Sequence, residues 1–147
     1  MKLENIIRCV GVNPHYVNSN SQREAIVKAY GANVYNGGIA NAYIYIPYSK
    51  ELDKLVKNLG GMYPFEMQCD VHGGITYGGT CDGISEWHCP YSGVLTPDKY
   101  DAKYIVVGWD TNHYDDTPDR WTYRTIIEEN EDLAKQILKI INERLRV

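Results

Sequence analysis

Two short stretches of this chain hold most of the side chains that can do chemistry. They are Asp70-Val71-His72-Gly73-Gly74-Ile75-Thr76-Tyr77 and Trp109-Asp110-Thr111-Asn112-His113-Tyr114-Asp115-Asp116. An imidazole serves as acid, base or metal ligand near neutral pH. A glycine pair follows His72, and amides unshielded by side chains can be approached closely by a ligand, an anion above all. Thr76 and Tyr77 add hydroxyls. In the second stretch Asp110, His113 and Asp116 recur every third residue, so a helical turn brings them to one side.

These residue types leave three accounts open. A divalent metal suits the mixed imidazole and carboxylate set Asp70, His72, Asp110, His113 and Asp116, and a bound ion polarises a phosphoryl or carbonyl group or activates water. Without a metal, the two histidines act as general acid and base or as hydrogen-bond donors to a polar ligand. In a purely structural account Asp110 caps a turn, His113 packs on a tyrosine, and Asp70 and His72 form an exposed pair. Cys69, Cys81, His88 and Cys89 raise a structural zinc, but their spacing is irregular and buried thiols explain them more simply. His15 reads as a turn residue. The chain has no P-loop, dinucleotide fingerprint or Gly-x-Ser-x-Gly elbow.

The elements that must position these residues follow from patterning. Residues 5–12 read as a strand, and the capping box Ser21-Gln22-Arg23-Glu24 predicts a helix ending at Gly31. Residues 33–40 form a Gly-rich turn region, and Asn41–Pro47 is a β-branched and aromatic strand. Ser49 caps a helix whose apolar stripe is Leu52, Leu55, Val56 and Leu59, stopped by Gly60 and Gly61. Alternation from Phe65 predicts a strand with Phe65, Met67, Cys69 and Val71 on the core face, and Glu66, Gln68, Asp70 and His72 opposite. Residues 78–98 read as a long irregular excursion. Tyr104–Trp109 is a central strand buried on both faces. A second capping box, Thr125 to Glu128, opens a long C-terminal helix with Ile126, Leu133, Ile137 and Ile140 facing the sheet, flanked by Ile127, Ala134, Leu138 and Ile141. The expected fold is α+β, a small mixed or mostly antiparallel sheet with helices on one side, in one domain over residues 1–147.

Composition narrows the function classes. The net charge of −4 disfavours nonspecific nucleic-acid binding. No apolar run approaches the ~18 residues of a membrane span. Met1-Lys2-Leu3-Glu4-Asn5 does not resemble a signal peptide, so a cytoplasmic protein with free thiols is expected. Thirteen tyrosines against one phenylalanine supply many half-polar aromatic groups, suited to a pocket or an interface.

Several of these features together resemble a family of small proteins frequent in bacteriophage and prophage genomes. The match runs through Asn41-Ala42-Tyr43-Ile44 with Pro47, Asp70–Tyr77, Gly108-Trp109-Asp110 with His113 and Asp116, and Leu133-Ala134. It covers residues 41–147, so residues 1–40 are expected to be a lineage-specific addition. Where relatives carry an acidic residue two before the histidine this chain has Asp70, and where they carry Phe before the aspartate it has Trp109. The resemblance implies a viral accessory protein, of a kind that often counters host defence by handling nucleotide signals or by binding a defence protein. The expected function is binding of a small polar ligand, a nucleotide among the options. His72, Asp110 and His113 are the candidate catalytic groups, and Asp70, Gly73, Gly74, Thr76, Tyr77, Trp109 and Asp116 are the candidate ligand contacts. A hydrolase using the same residues, with or without a divalent ion, and a protein-binding inhibitor are the alternatives. Oligomerisation is left open.

Overall fold

The computed structural model describes residues 1–12, 40–81, 102–111, 113, 116, 120–121 and 123–145. A short 3-10 turn, Leu3–Asn5, leads into β1 (Ile7–Val12). Then come β2 (Ala40–Pro47), α1 (Lys50–Leu59), β3 (Tyr77–Cys81), β4 (Tyr104–Asp110) and α2 (Tyr123–Arg144). The strands form one sheet in the order β1-β2-β4-β3. Every neighbouring pair is antiparallel. This is the α+β fold expected, with the long C-terminal helix in place. The expected helix at residues 21–31, the turn region at 33–39 and most of the excursion at 82–98 lie outside the described residues.

Period-two alternation sorts the central strands onto two faces. Ala42, Ile44 and Ile46 of β2 and Ile105, Val107 and Trp109 of β4 share a core with Leu52 of α1 and Ile126, Leu133, Ala134, Ile137 and Ile141 of α2. Both helices therefore cover the same face. The opposite face carries Tyr43, Tyr45, Val106, Cys9 and Cys81, with Tyr77 and Tyr104 against them. Residues 105–109 are all buried, as expected for a strand with neighbours on both sides and packing above and below.

Local chemistry explains the helix ends. The Ser49 Oγ accepts from the Leu52 N–H at 3.1 Å, which satisfies one of the orphan donors of α1. Gly60, at φ +77°, ends the helix in a conformation that costs glycine nothing. The start of α2 departs from expectation. The helix begins at Tyr123, so Thr125 lies inside the first turn and not at its cap.

Two further expectations are corrected. Residues 65–72 are not a strand. The Phe65 carbonyl accepts from the N–H groups of Gln68 and Cys69, which curls the chain into a turn, and Phe65 itself has φ +62°. The residues that reach the core are Phe65 and Cys69, four apart as in a helical turn, whereas Met67 is 71% exposed. Residues 78–81 were expected to be irregular but belong to an edge strand, Tyr77–Cys81. Gly78 sits where a Cβ would lie 2.7 Å from both Pro64 Cδ and the Val106 carbonyl oxygen, so the glycine admits a close neighbour without breaking the strand.

Candidate functional site

The 70–72 segment is held mainly by α2. The Gln136 side-chain amide bonds both main-chain groups of Asp70: its Oε1 accepts from the Asp70 N–H and its Nε2 donates to the Asp70 carbonyl, each at 2.8 Å. The Glu129 carboxylate accepts the His72 N–H at 3.1 Å. Glu129 and Gln136 are seven residues apart, two turns along one helix face, about 10.5 Å of rise. Val71 then accepts the Gly74 N–H at 2.8 Å, closing a tight turn with Gly73 at φ +69°. A positive φ at the third position of such a turn favours glycine.

This turn delivers His72 to the end of β4. Its Nε2 lies 2.8 Å from Asp116 Oδ1. The other carboxylate oxygen of Asp116 lies 2.6 Å from His113 Nδ1 and also accepts the His113 main-chain N–H at 3.0 Å. The two rings meet edge to face with centroids 4.9 Å apart. One aspartate thus orients two histidines from segments about forty residues apart. The Asp116 side chain is only 3% exposed, against 26% for His72 and 32% for His113. Burial pushes the Asp116 carboxyl up. Hydrogen bonds from the His72 ring, the His113 ring and the His113 main chain, with the charge of His72, outweigh it and hold the carboxyl below its ordinary 3.8.

With Nδ1 turned to Asp116, the His113 Nε2 lies beside Gly73 and 4.0 Å from Asp110 Oδ1. Thr76 holds the other Asp110 oxygen, donating from its hydroxyl at 3.1 Å. The back wall is aromatic. Trp121 lies against the His72 ring at 4.2 Å between centroids, and Trp109 stands edge-on behind both. The Trp109 indole N–H donates to the buried Asn130 Oδ1 at 3.0 Å, and Asn130 donates onward to the Tyr43 carbonyl at 3.2 Å.

The fold therefore brings His72, Asp110, His113, Asp116, Gly73, Thr76 and Trp109 together, in roles that differ from expectation at several positions. Gly73 makes room for a side chain, not a ligand: a Cβ there would overlap the His113 ring at Cε1 and Nε2. The Gly74 amide is spent within its own turn, so it is not an open anion contact. Trp109 is 1% exposed and forms a wall, not a contact surface. Asp70 is exposed and bonds α2 through its main chain. Tyr77 packs edge-on against Tyr43 on the opposite face of the sheet, away from the histidines. The cysteine zinc set is also divided. Cys69 is in the helix-side core and Cys81 is in the other, while His88 and Cys89 lie outside the described residues. Burial, with a smaller contribution from the Asp70 charge, pushes the Cys69 thiol up to about 11, so it stays protonated and is a poor ligand.

Glu129, Asn130, Gln136 and Trp121 were not identified from sequence. Asn130 did leave a signal, since it interrupts the stripe Ile126, Leu133, Ala134, Ile137 where a core residue belongs. A concavity of about 440 Å³ lies between β1 and α2, apart from the histidines, and is lined by Glu4, Ile7, Arg8, Ile127 and Glu131 among others. Among the described residues no helix is long and apolar enough to cross a membrane. The chain matches no family model, no curated protein and no solved structure.

Proposed function

We propose that this protein is a phage-type accessory protein, cytoplasmic in its host, that binds a small polar ligand of the nucleotide class at the His72–Asp116–His113 cluster. The observation that carries this reading is the shared carboxylate. Asp116 gives one oxygen to each of two imidazoles, which orients two groups able to act as acid, base or hydrogen-bond donor side by side. The His113 Nε2, which makes no hydrogen bond to Asp116, suits a phosphate oxygen, and the Asp110 carboxylate suits ribose hydroxyls. The half-buried Trp121 offers an aromatic edge for a base.

Isothermal titration of the full chain against nucleosides, mononucleotides and dinucleotides tests it. At least one is expected to bind, with His113→Gln weakening it tenfold or more (about 1.4 kcal/mol) while the melting temperature moves little. A panel that binds neither protein, or both equally, overturns the reading.

One observation favours a second reading, hydrolysis at the same residues. An aspartate on His113 Nδ1 leaves Nε2 positioned as a general base, the orienter-and-base pairing of many hydrolases. Turnover of the same panel, followed by chromatography, separates the two readings.

A further inference from the structure

We infer that His72, His113 and Asp116 form a binding site for a zinc-like divalent transition-metal ion with open coordination positions. This deepens the reading above, resting on the same cluster being functional, and names the ion through which a phosphate-bearing ligand is held.

The geometry begins with the donor atoms. One ligand atom from each of the three residues lies within 4.8 Å of the other two. A tetrahedral ion with bonds of about 2.0–2.1 Å separates its ligand atoms by about 3.3 Å. The nitrogens of His72 and His113 stand 2.8 and 2.6 Å from the Asp116 oxygens. Those two contacts go to different carboxylate oxygens, so small rotations of the Asp116 carboxylate and the two rings bring one oxygen and both nitrogens around the ion. The shared hydrogen bonds then become bonds to metal.

The donor set selects the metal. Two imidazoles and one carboxylate suit borderline ions such as zinc, or iron(II) in the two-histidine-one-carboxylate arrangement. Magnesium and calcium require oxygen ligands almost throughout. Three protein ligands leave at least one position for water or a ligand oxygen. A bound cation supplies the attraction for an anion beside the Asp110 and Asp116 carboxylates.

The surroundings match what metal-bound histidines need. A ligating imidazole directs its second nitrogen to a carboxylate or carbonyl, which fixes the tautomer. When His113 binds through Nδ1, its Nε2–H faces Asp110 Oδ1, now 4.0 Å away. Thr76 holds that carboxylate from its other side. The His72 ring is fixed by Trp121 on its face and by Glu129 on its main-chain N–H. The Gly73 turn leaves no room for the His113 ring to swing back.

The test is equilibrium dialysis of the purified full chain, stripped with chelator, against Zn²⁺ alone, with metal counted by mass spectrometry. One equivalent per chain is expected, absent from His72→Ala and Asp116→Ala and retained in His15→Ala and His88→Ala. Asp110→Asn, which removes an orienting group and no ligand, is expected to weaken binding about tenfold. Substoichiometric metal in the wild type, or a full equivalent in His72→Ala, overturns the inference. Should the alanine variants not fold, the Co²⁺-substituted wild type decides. Two strongly shifted, solvent-exchangeable imidazole N–H resonances are expected, and fewer than two overturns it. The two readings fail separately. Nucleotide binding that persists in chelator but is lost in His113→Gln removes the metal and keeps the ligand site. A full zinc equivalent with no nucleotide bound does the reverse.

Discussion

The two polar regions flanking α2 use similar residues to opposite ends. Beside β1, the Arg8 guanidinium is engaged at Nε and at one terminal nitrogen. Its Nε donates to Glu131 at 2.6 Å, and one terminal nitrogen donates to the Leu3 and Ile6 carbonyls at 2.8 Å each. That is a fastening, which ties β1 and the turn before it to α2. At the end of β4, Asp116 takes one nitrogen of each imidazole and leaves the other, so the arrangement is organised but not complete. A concavity of about 440 Å³ lies beside Arg8, and there Arg8 and Glu131 already answer one another. The difference teaches that charged and polar side chains on one helix can pin an element in place on one side and orient ring nitrogens beside one another on the other.

Four experiments sharpen or break this contrast. The largest effect is expected from Leu133→Ala, which removes fully buried volume from the helix supporting both regions. A loss of about 2–5 kcal/mol in denaturant unfolding is expected. An unchanged midpoint would mean that α2 is not their common support. Next is Gly73→Ala. The added methyl displaces the His113 ring and strains a backbone at φ +69°, for about 1–3 kcal/mol, and zinc or nucleotide binding should vanish. Wild-type binding in this variant would show that the ring position is immaterial.

The third concerns acid. The Asp116 pKa is lowered in the fold, so its contribution is fully present above the ordinary carboxylate value of 3.8 and fades as pH falls through the lower folded value. In metal-free protein, Asp116→Asn is expected to lack this contribution at neutral pH, and the stability gap to wild type should close below about pH 4. A gap that persists at low pH would assign the loss to packing. The smallest effect belongs to the fastening. Arg8 and Glu131 side chains are 29% and 34% exposed. A double-mutant cycle with alanine is expected to give a coupling of about 1 kcal/mol or less, with no change at the histidines. Loss of zinc or nucleotide binding in Arg8→Ala would break the separation of the two regions.

Much of this was legible in the sequence. The three-residue rhythm of Asp110, His113 and Asp116, and the isolated His72 before two glycines, pointed to one convergent cluster. The apolar stripes of α1 and α2 and the buried run 105–109 followed from simple periodicity. The illegible parts share a cause. Phe65–Cys69 alternates like a strand, but a strand needs a ladder partner, and the main chain found its hydrogen bonds in a turn instead. Tyr77 follows Thr76 by one residue, and in extended backbone that step reverses the face, so the two hydroxyls could not both line the pocket. Glu129 and Gln136 serve main-chain groups of residues 70–72, and no side-chain motif encodes a debt owed to a distant backbone.

Asn130 bridges the Trp109 indole and the Tyr43 carbonyl across the helix–sheet boundary, and it is 1% exposed. It works as an index pin. Sliding or rotating α2 by one residue would strand these groups in an apolar interior, at about 1–3 kcal/mol for each one orphaned, so the helix has a single permitted seating. Glu129 and Gln136 ride on that same helix, and the placement of His72 is thereby set by an amide that never touches it. A change at Asn130 would propagate as a displacement of the whole rail, detuning the cluster while leaving every one of its own residues intact.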